Sequence, residues 1–168
     1  PSSFRAHEDG SLKLNGKELV TVPIPFGYLE QELIRLTNAI APPLISSRCS
    51  IHVHLNVRNF SLEELHKFLL LYLIFERNLF RISGDRYTNN CCIPLHSYPP
   101  VVDDFLEVTA DTPAFDRLPT WYKYFALNLS PIWGGETRQV LGTAEFRHSK
   151  GTLDVKEIIN WINFIISL

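Results

Sequence analysis

The chain has 168 residues, is 45% hydrophobic and 20% charged, and carries a formal net charge of -2. That length suits one domain, which buries roughly 70% of its unfolded surface. No basic stripe marks it for nucleic acid, and no apolar run of ~20 residues offers a membrane span.

Cys49, Cys91 and Cys92 make an odd count of three with an adjacent pair. That pattern argues against a disulfide framework, and without a CxxC spacing it argues against a structural zinc. A reducing cytoplasm is the expected setting. No signal-peptide pattern is visible. The chain starts at Pro1, has no methionine and ends inside an apolar helix without a glycine or proline stop. It reads as a piece of a longer protein.

Pro1 to Glu8 has no clear period. Ser11 to Leu14 and Lys17 to Pro23 flank Asn15-Gly16, a strong hairpin signal because both turn residues tolerate positive φ. On the second run Glu18, Val20 and Val22 share a face. That places a carboxylate either at a sheet rim or in a site. Tyr28 to Ile40 is expected to be helical, since Leu29, Leu33, Leu36 and Ile40 form an amphipathic stripe. Pro42-Pro43 ends it.

Ile51-His52-Val53-His54-Leu55 reads as a strand with its apolar residues on one face and both imidazoles on the other. The apolar face must meet a core, so the histidines are expected on the open side, where they could bind a metal or an anion. Ser61 and Glu64 then make a capping box for the longest helix, Ser61 to Ile82. Leu65, Leu69, Tyr72, Glu76 and Phe80 share one stripe. Leu70, Leu71, Leu73, Ile74 and Phe75 make the helix apolar nearly all round, which predicts a central position. Glu76 is therefore expected to be buried and to need a partner, an arginine being the plain structural choice.

Gly84 to Tyr87 closes the helix in a turn, and Cys91 to Leu95 suits a short extended piece. Ser97 to Thr120 contains four prolines and no sustained period. It reads as a long excursion with one helical turn, either a surface loop or a lid. Trp121 to Leu129 alternates, with Tyr122, Tyr124, Ala126 and Asn128 on one face. After a loop at Gly134-Gly135, Val140 to Arg147 is the next strand, with Glu145 and Arg147 on one face. Asp154 and Glu157 cap a final helix, Val155 to Leu168. The order predicts an α+β fold with a mostly antiparallel sheet and helices packed on one face. Glu18, His52, His54, Glu145 and Arg147 are expected to share the open face of that one sheet, together with Asn128.

Carboxylates with neutral imidazoles suit a hard divalent cation such as Mg²⁺ or Mn²⁺. Arginine beside such a site suits phosphate. No GxxxxGK[ST] loop is present, so a nucleotide triphosphate would be held by side chains and metal. Another metalloenzyme built on HxH plus glutamate, of cupin-like type, remains open. So does a binding module without catalysis. Against the cupin-like reading, Glu63 and Glu64 open a helix where the next ligand should sit on the hairpin.

The ordered set Asp9-Gly10-Ser11, Gly16 to Val20, Cys49-x-x-His52-Val53-His54, Tyr72 to Glu76, Arg86-Tyr87, Cys92-x-Pro94-Leu95, Ala126 to Leu129, Glu145-Phe146-Arg147 and Gly151 to Asp154 resembles the amidoligase family. These are carboxylate–amine ligases related to glutamine synthetase and γ-glutamylcysteine ligase. The resemblance spans nearly the whole chain as a single catalytic domain, 1–168. It implies a glutamine-synthetase-like fold, a curved, mostly antiparallel sheet with helices on its convex side and the site on its concave face, together with ATP, Mg²⁺ or Mn²⁺, and an acyl-phosphate intermediate. Small-molecule or peptide carboxylates and amines would be the partners. By match to the motifs, Glu18, His52 and Glu145 are implied as metal ligands. His54, Asn128 and Arg147 are implied on the nucleotide side. Arg147 and Arg86 are implied as binders of phosphate or acyl phosphate, with Glu145 in the catalytic set. One departure stands: such ligases open with a G-x-E-x-E strand, and nothing before Asp9 supplies it.

Overall fold

Ser61 starts the longest helix as its cap residues dictate. Its hydroxyl accepts from Glu64 N at 3.2 Å and its own N–H donates to Glu64 Oε2 at 2.7 Å. The chain is described by a computed structural model over residues 4–9, 12, 16–40, 45–84, 86–109, 121–134 and 140–168. Within these residues it is α+β, with two small sheets and four α-helices. No helix among the described residues is long and apolar enough to cross a membrane. The chain divides into two compact units, residues 1–50 with 151–168 and residues 51–150.

In the first unit, β1 (Phe4–Glu8) pairs antiparallel with β2 (Lys17–Thr21), from Phe4 opposite Thr21 to Glu8 opposite Lys17. The second run thus pairs with Phe4–Glu8, a segment without a clear period in the sequence, while the strand expected at 11–14 lies, apart from Leu12, outside the described residues. Asp9 N bonds Gly16 O at 3.2 Å and Lys17 Nζ reaches Glu8 at 3.0 Å, which closes the ladder around residues 9–16. The expected Asn15 turn position and the Pro42-Pro43 stop lie outside the described residues. The helix α1 (Leu29–Ala39) packs with α4 (Val155–Ser167). Asp154 caps α4 through the amides of Lys156 and Glu157, at 2.9 and 3.1 Å.

The second unit is built on a three-stranded sheet in the order β3 (Ser50–Asn56), β5 (Thr143–Lys150), β4 (Leu127–Asn128). As β3 runs from His52 through His54 to Val57, its neighbours on the β5 side run backwards: Glu145, Thr143, Gly142. β4 is antiparallel to β5, with Leu127 opposite Phe146 and Asn128 opposite Glu145. The strand expected over Trp121 to Leu129 shrinks to two residues because Phe125 N turns back to Tyr122 O. The last strand starts later than expected and runs on to Lys150.

α2 (Leu62–Ile82) covers one face of β5. Phe68 and Tyr72 meet Phe146 edge-on, and Tyr72 meets His148 likewise. Leu65, Leu69, Tyr72, Glu76, Leu79 and Phe80 are buried. Gly84, at φ 103°, leaves the helix in a conformation that other residues rarely adopt. α2 is not covered all round, since Leu70 and Ile74 are exposed, the latter at 72%. The segment after residue 97 holds more structure than one turn: α3 (Pro99–Leu106) buries Val102 and Phe105. The rest of the Ser97 to Thr120 segment, expected as a loop or a lid, lies at residues 110–120, outside the described residues.

Candidate functional site

Strand periodicity sorts β5 into two faces. Ala144, Phe146 and His148 turn toward α2, so Glu145 and Arg147 turn to the other side. The neighbouring strands deliver His52, His54 and Asn128 to that same side. The structure thus brings five of the expected residues together.

Glu145 is the centre. Its Oε1 lies 2.9 Å from His52 Nδ1 and 2.7 Å from Arg147 NH1, with His54 Nε2 at 4.0 Å. Its Oε2 accepts from Asn128 Nδ2 at 2.7 Å. The amide of Asn128 is oriented by its other end, because Oδ1 accepts from Ser130 N at 3.0 Å. Thr143 Oγ1, one step along the same face, lies 2.9 Å from His54 Nδ1. Arg147 also donates from Nε to Cys91 O at 3.3 Å and lies over the Tyr124 ring at 5.8 Å.

Burial alone would raise the Glu145 carboxyl. The His52 hydrogen bond and the Arg147 charge outweigh it and hold the group down at about 2. It is therefore a carboxylate at neutral pH, an acceptor only. His52 Nδ1 must carry the proton in their bond, which makes Nε2 the acceptor nitrogen of the neutral ring.

Neither Arg86 nor Glu18 is on these three strands. Arg86 is buried, and its NH1 donates to the main-chain carbonyls of Arg147 and Ser149 at 2.9 and 3.2 Å. It fastens the strand that carries Arg147. Glu18 lies on β2, exposed and opposite His7, in the two-stranded sheet. The expectation of one sheet holding all five polar residues is thus corrected for Glu18, because β2 pairs with β1 and not with β3 or β5.

The residues as they stand do not fit Mg²⁺ or Mn²⁺. Among the described residues no three His, Cys, Asp or Glu side chains are set to hold a metal ion. Glu145 is already shared between a guanidinium, an imidazole and an amide. A cation would compete with Arg147 for Glu145, and an anion would compete with Glu145 for Arg147.

A second polar group, which sequence reasoning only half anticipated, lies under α2. Glu76 is 1% exposed. Its partners are not an arginine but Tyr72 Oη at 2.8 Å, Leu95 N at 2.5 Å, His96 N at 3.0 Å and His96 Nδ1 at 2.5 Å. Tyr72 gives its one hydroxyl proton to Glu76, so His148 Nε2, 3.0 Å away, is the donor to Tyr72. Burial, helped by the Arg86 charge, pushes His148 down to about 3 and keeps it neutral. Burial and the Glu76 charge push Tyr72 well above its usual range. The available signal for His148 was its alternation with Ala144 and Phe146 on an apolar face. No such signal marked His96, which arrives from a turn.

Comparison of the chain with protein families, curated proteins and solved structures finds no match.

Proposed function

We propose that the chain is a carboxylate–amine ligase domain of amidoligase type, which uses ATP to activate a carboxylate as an acyl phosphate for attack by an amine. The observation that supports this reading is the meeting of the H-x-H and E-x-R motifs on one sheet face, with Asn128 from a third strand. In this reading the three strands belong to a curved, glutamine-synthetase-like sheet.

Arg147 is the anion-binding group. A phosphate oxygen would replace Glu145 on its guanidinium, since both are anionic acceptors for the NH1 donor. His54 and Asn128 lie on the nucleotide side, and Arg86 positions Arg147 through its main chain. The γ-phosphoryl group passes to the carboxylate oxygen and ADP leaves. The amine nitrogen then bonds to the acyl carbon as phosphate departs.

A second reading is a binding module without turnover. It is favoured by one observation: both Glu145 oxygens already have strong partners. One experiment separates the two. The protein is incubated with ATP, Mg²⁺ and pooled amino acids and short peptides, and products are read by mass spectrometry. A condensation product with ADP and phosphate supports the ligase. AMP with pyrophosphate overturns the acyl-phosphate route. Calorimetric ATP binding with no product supports the module.

A further inference from the structure

Glu76, His96 and Tyr87 lie in line. Glu76 Oε2 is 2.5 Å from His96 Nδ1, and His96 Nε2 is 2.6 Å from Tyr87 Oη. An ionised carboxylate only accepts, so in their bond Nδ1 carries the proton. In the neutral ring Nε2 is then the acceptor, and Tyr87 donates to it. The far end of the line is buried and the near end open: Glu76 is inaccessible, whereas the His96 side chain is 47% exposed. Glu76 is also fixed independently of the His96 ring, by the amides of Leu95 and His96 and by Tyr72.

We propose that Tyr87, His96 and Glu76 form a carboxylate–imidazole–phenol relay that makes Tyr87 a nucleophile toward activated carboxylic esters. This does not rest on the ligase reading. A hydroxyl within reach of a base, with that base oriented by a third group, is the general requirement for an activated nucleophile. In the resting hydrogen bond the phenol is the donor and keeps its proton. It moves as the bond to carbon forms, with His96 as general base. Tyr87 Oη bonds to the acyl carbon, the bond from that carbon to the leaving alkoxide or phenolate breaks, and the phenol proton passes to His96 Nε2. Glu76 is the positioning residue, holding the ring by Nδ1 and compensating the imidazolium. The imidazolium then returns its proton to solvent or leaving group.

The protein carries its own controls. Tyr28, Tyr98 and Tyr122 are all more exposed than Tyr87, at 62%, 48% and 45% against 38%. Exposure alone would make Tyr87 the slowest of the four. The test is brief treatment with p-nitrophenyl acetate at neutral pH, followed by peptide mass spectrometry of each tyrosine. The expected result is acetylation of Tyr87 at least about tenfold faster than the others, a threshold set below the roughly 10²–10⁴-fold that general-base assistance supplies. In His96→Gln the Tyr87 rate should fall to theirs. That variant keeps the main-chain amides on Glu76, and circular dichroism checks its fold. Tyr87 reacting no faster than the other three in the unaltered protein overturns the proposal without any variant. So does an unchanged Tyr87 rate in folded His96→Gln, or acetyl found on His96 or cysteine with Tyr87 bare.

Discussion

His52 Nδ1 lies 2.9 Å from Glu145 Oε1, across the boundary between two neighbouring strands. The contact is possible only because both side chains point away from α2. A one-residue slip of either strand would turn one of them to the opposite face. It also makes Glu145 the shared acceptor of the sheet's polar side, which sets what its removal should do.

Glu145→Gln keeps the side chain's shape and one carbonyl oxygen but removes the charge. Arg147 then loses its ionic partner at a nearly buried position. The expected cost is about 1–3 kcal/mol of stability, as for a weakened charged hydrogen bond. Glu145→Ala should cost more, roughly 3–5 kcal/mol, since it strands a nearly buried guanidinium. Chemical denaturation of the two variants would show the order. If the ligase reading holds, Glu145→Gln also lowers turnover by about 10², the usual effect of losing one electrostatic stabiliser.

Acid should weaken the fold in two steps. The folded His148 ring takes no proton until pH falls to about 3, whereas the unfolded ring takes one below 6.5. The unfolded state binds more protons across that window, so stability is complete above 6.5 and falls with pH through it. The slope is about 1.4 kcal/mol per pH unit. Glu145 adds a second loss between about 4.5 and 2, where the unfolded carboxyl is protonated and the folded one is not. Denaturation midpoints measured from pH 7 to 5 isolate the first step. In His148→Phe the slope over that range should flatten, and a slope equal to that of the unaltered protein would exclude His148 as its source.

Glu76→Ala should be among the costliest single changes. It leaves the Leu95 amide and the Tyr72 hydroxyl without their buried acceptor. The expected loss is roughly 3–5 kcal/mol, the range for a broken buried network. Tyr72→Phe removes one bond to Glu76 and one to His148, and should cost about 1–3 kcal/mol. Thermal unfolding of both variants checks the ranking.

The cysteines should divide two against one. Cys92 is fully buried, and burial pushes its thiol up to about 12, against the lowering pull of Arg86 and Arg147. Cys49 and Cys91 are partly exposed. Iodoacetamide at pH 8 should label those two in the folded protein and reach Cys92 only after denaturant, because the thiolate is the reactive form. Rapid labelling of Cys92 in the native protein would contradict its burial.

Signals that act within a few residues were legible in the sequence. The Ser61 capping box and the Asp154 cap depend on side chains reaching amides two or three residues on. The alternation of His52 and His54 with apolar neighbours already placed both imidazoles on one side, and Glu145 with Arg147 followed the same rule. The burial of Glu76 followed from its place on a stripe of leucines and aromatics. What lay beyond reach was pairing over distance. Lys17–Thr21 could pair with any nearby strand, and its pairing with Phe4–Glu8 puts Glu18 in the two-stranded sheet and not in the three-stranded one. The partners of Glu76 come from a turn that only the packing of residues 95–97 against α2 brings near. Local geometry repeats every two or 3.6 residues and is written in the residue order, whereas a strand's partner is selected by which surfaces can be buried together. Only the tertiary structure decides that.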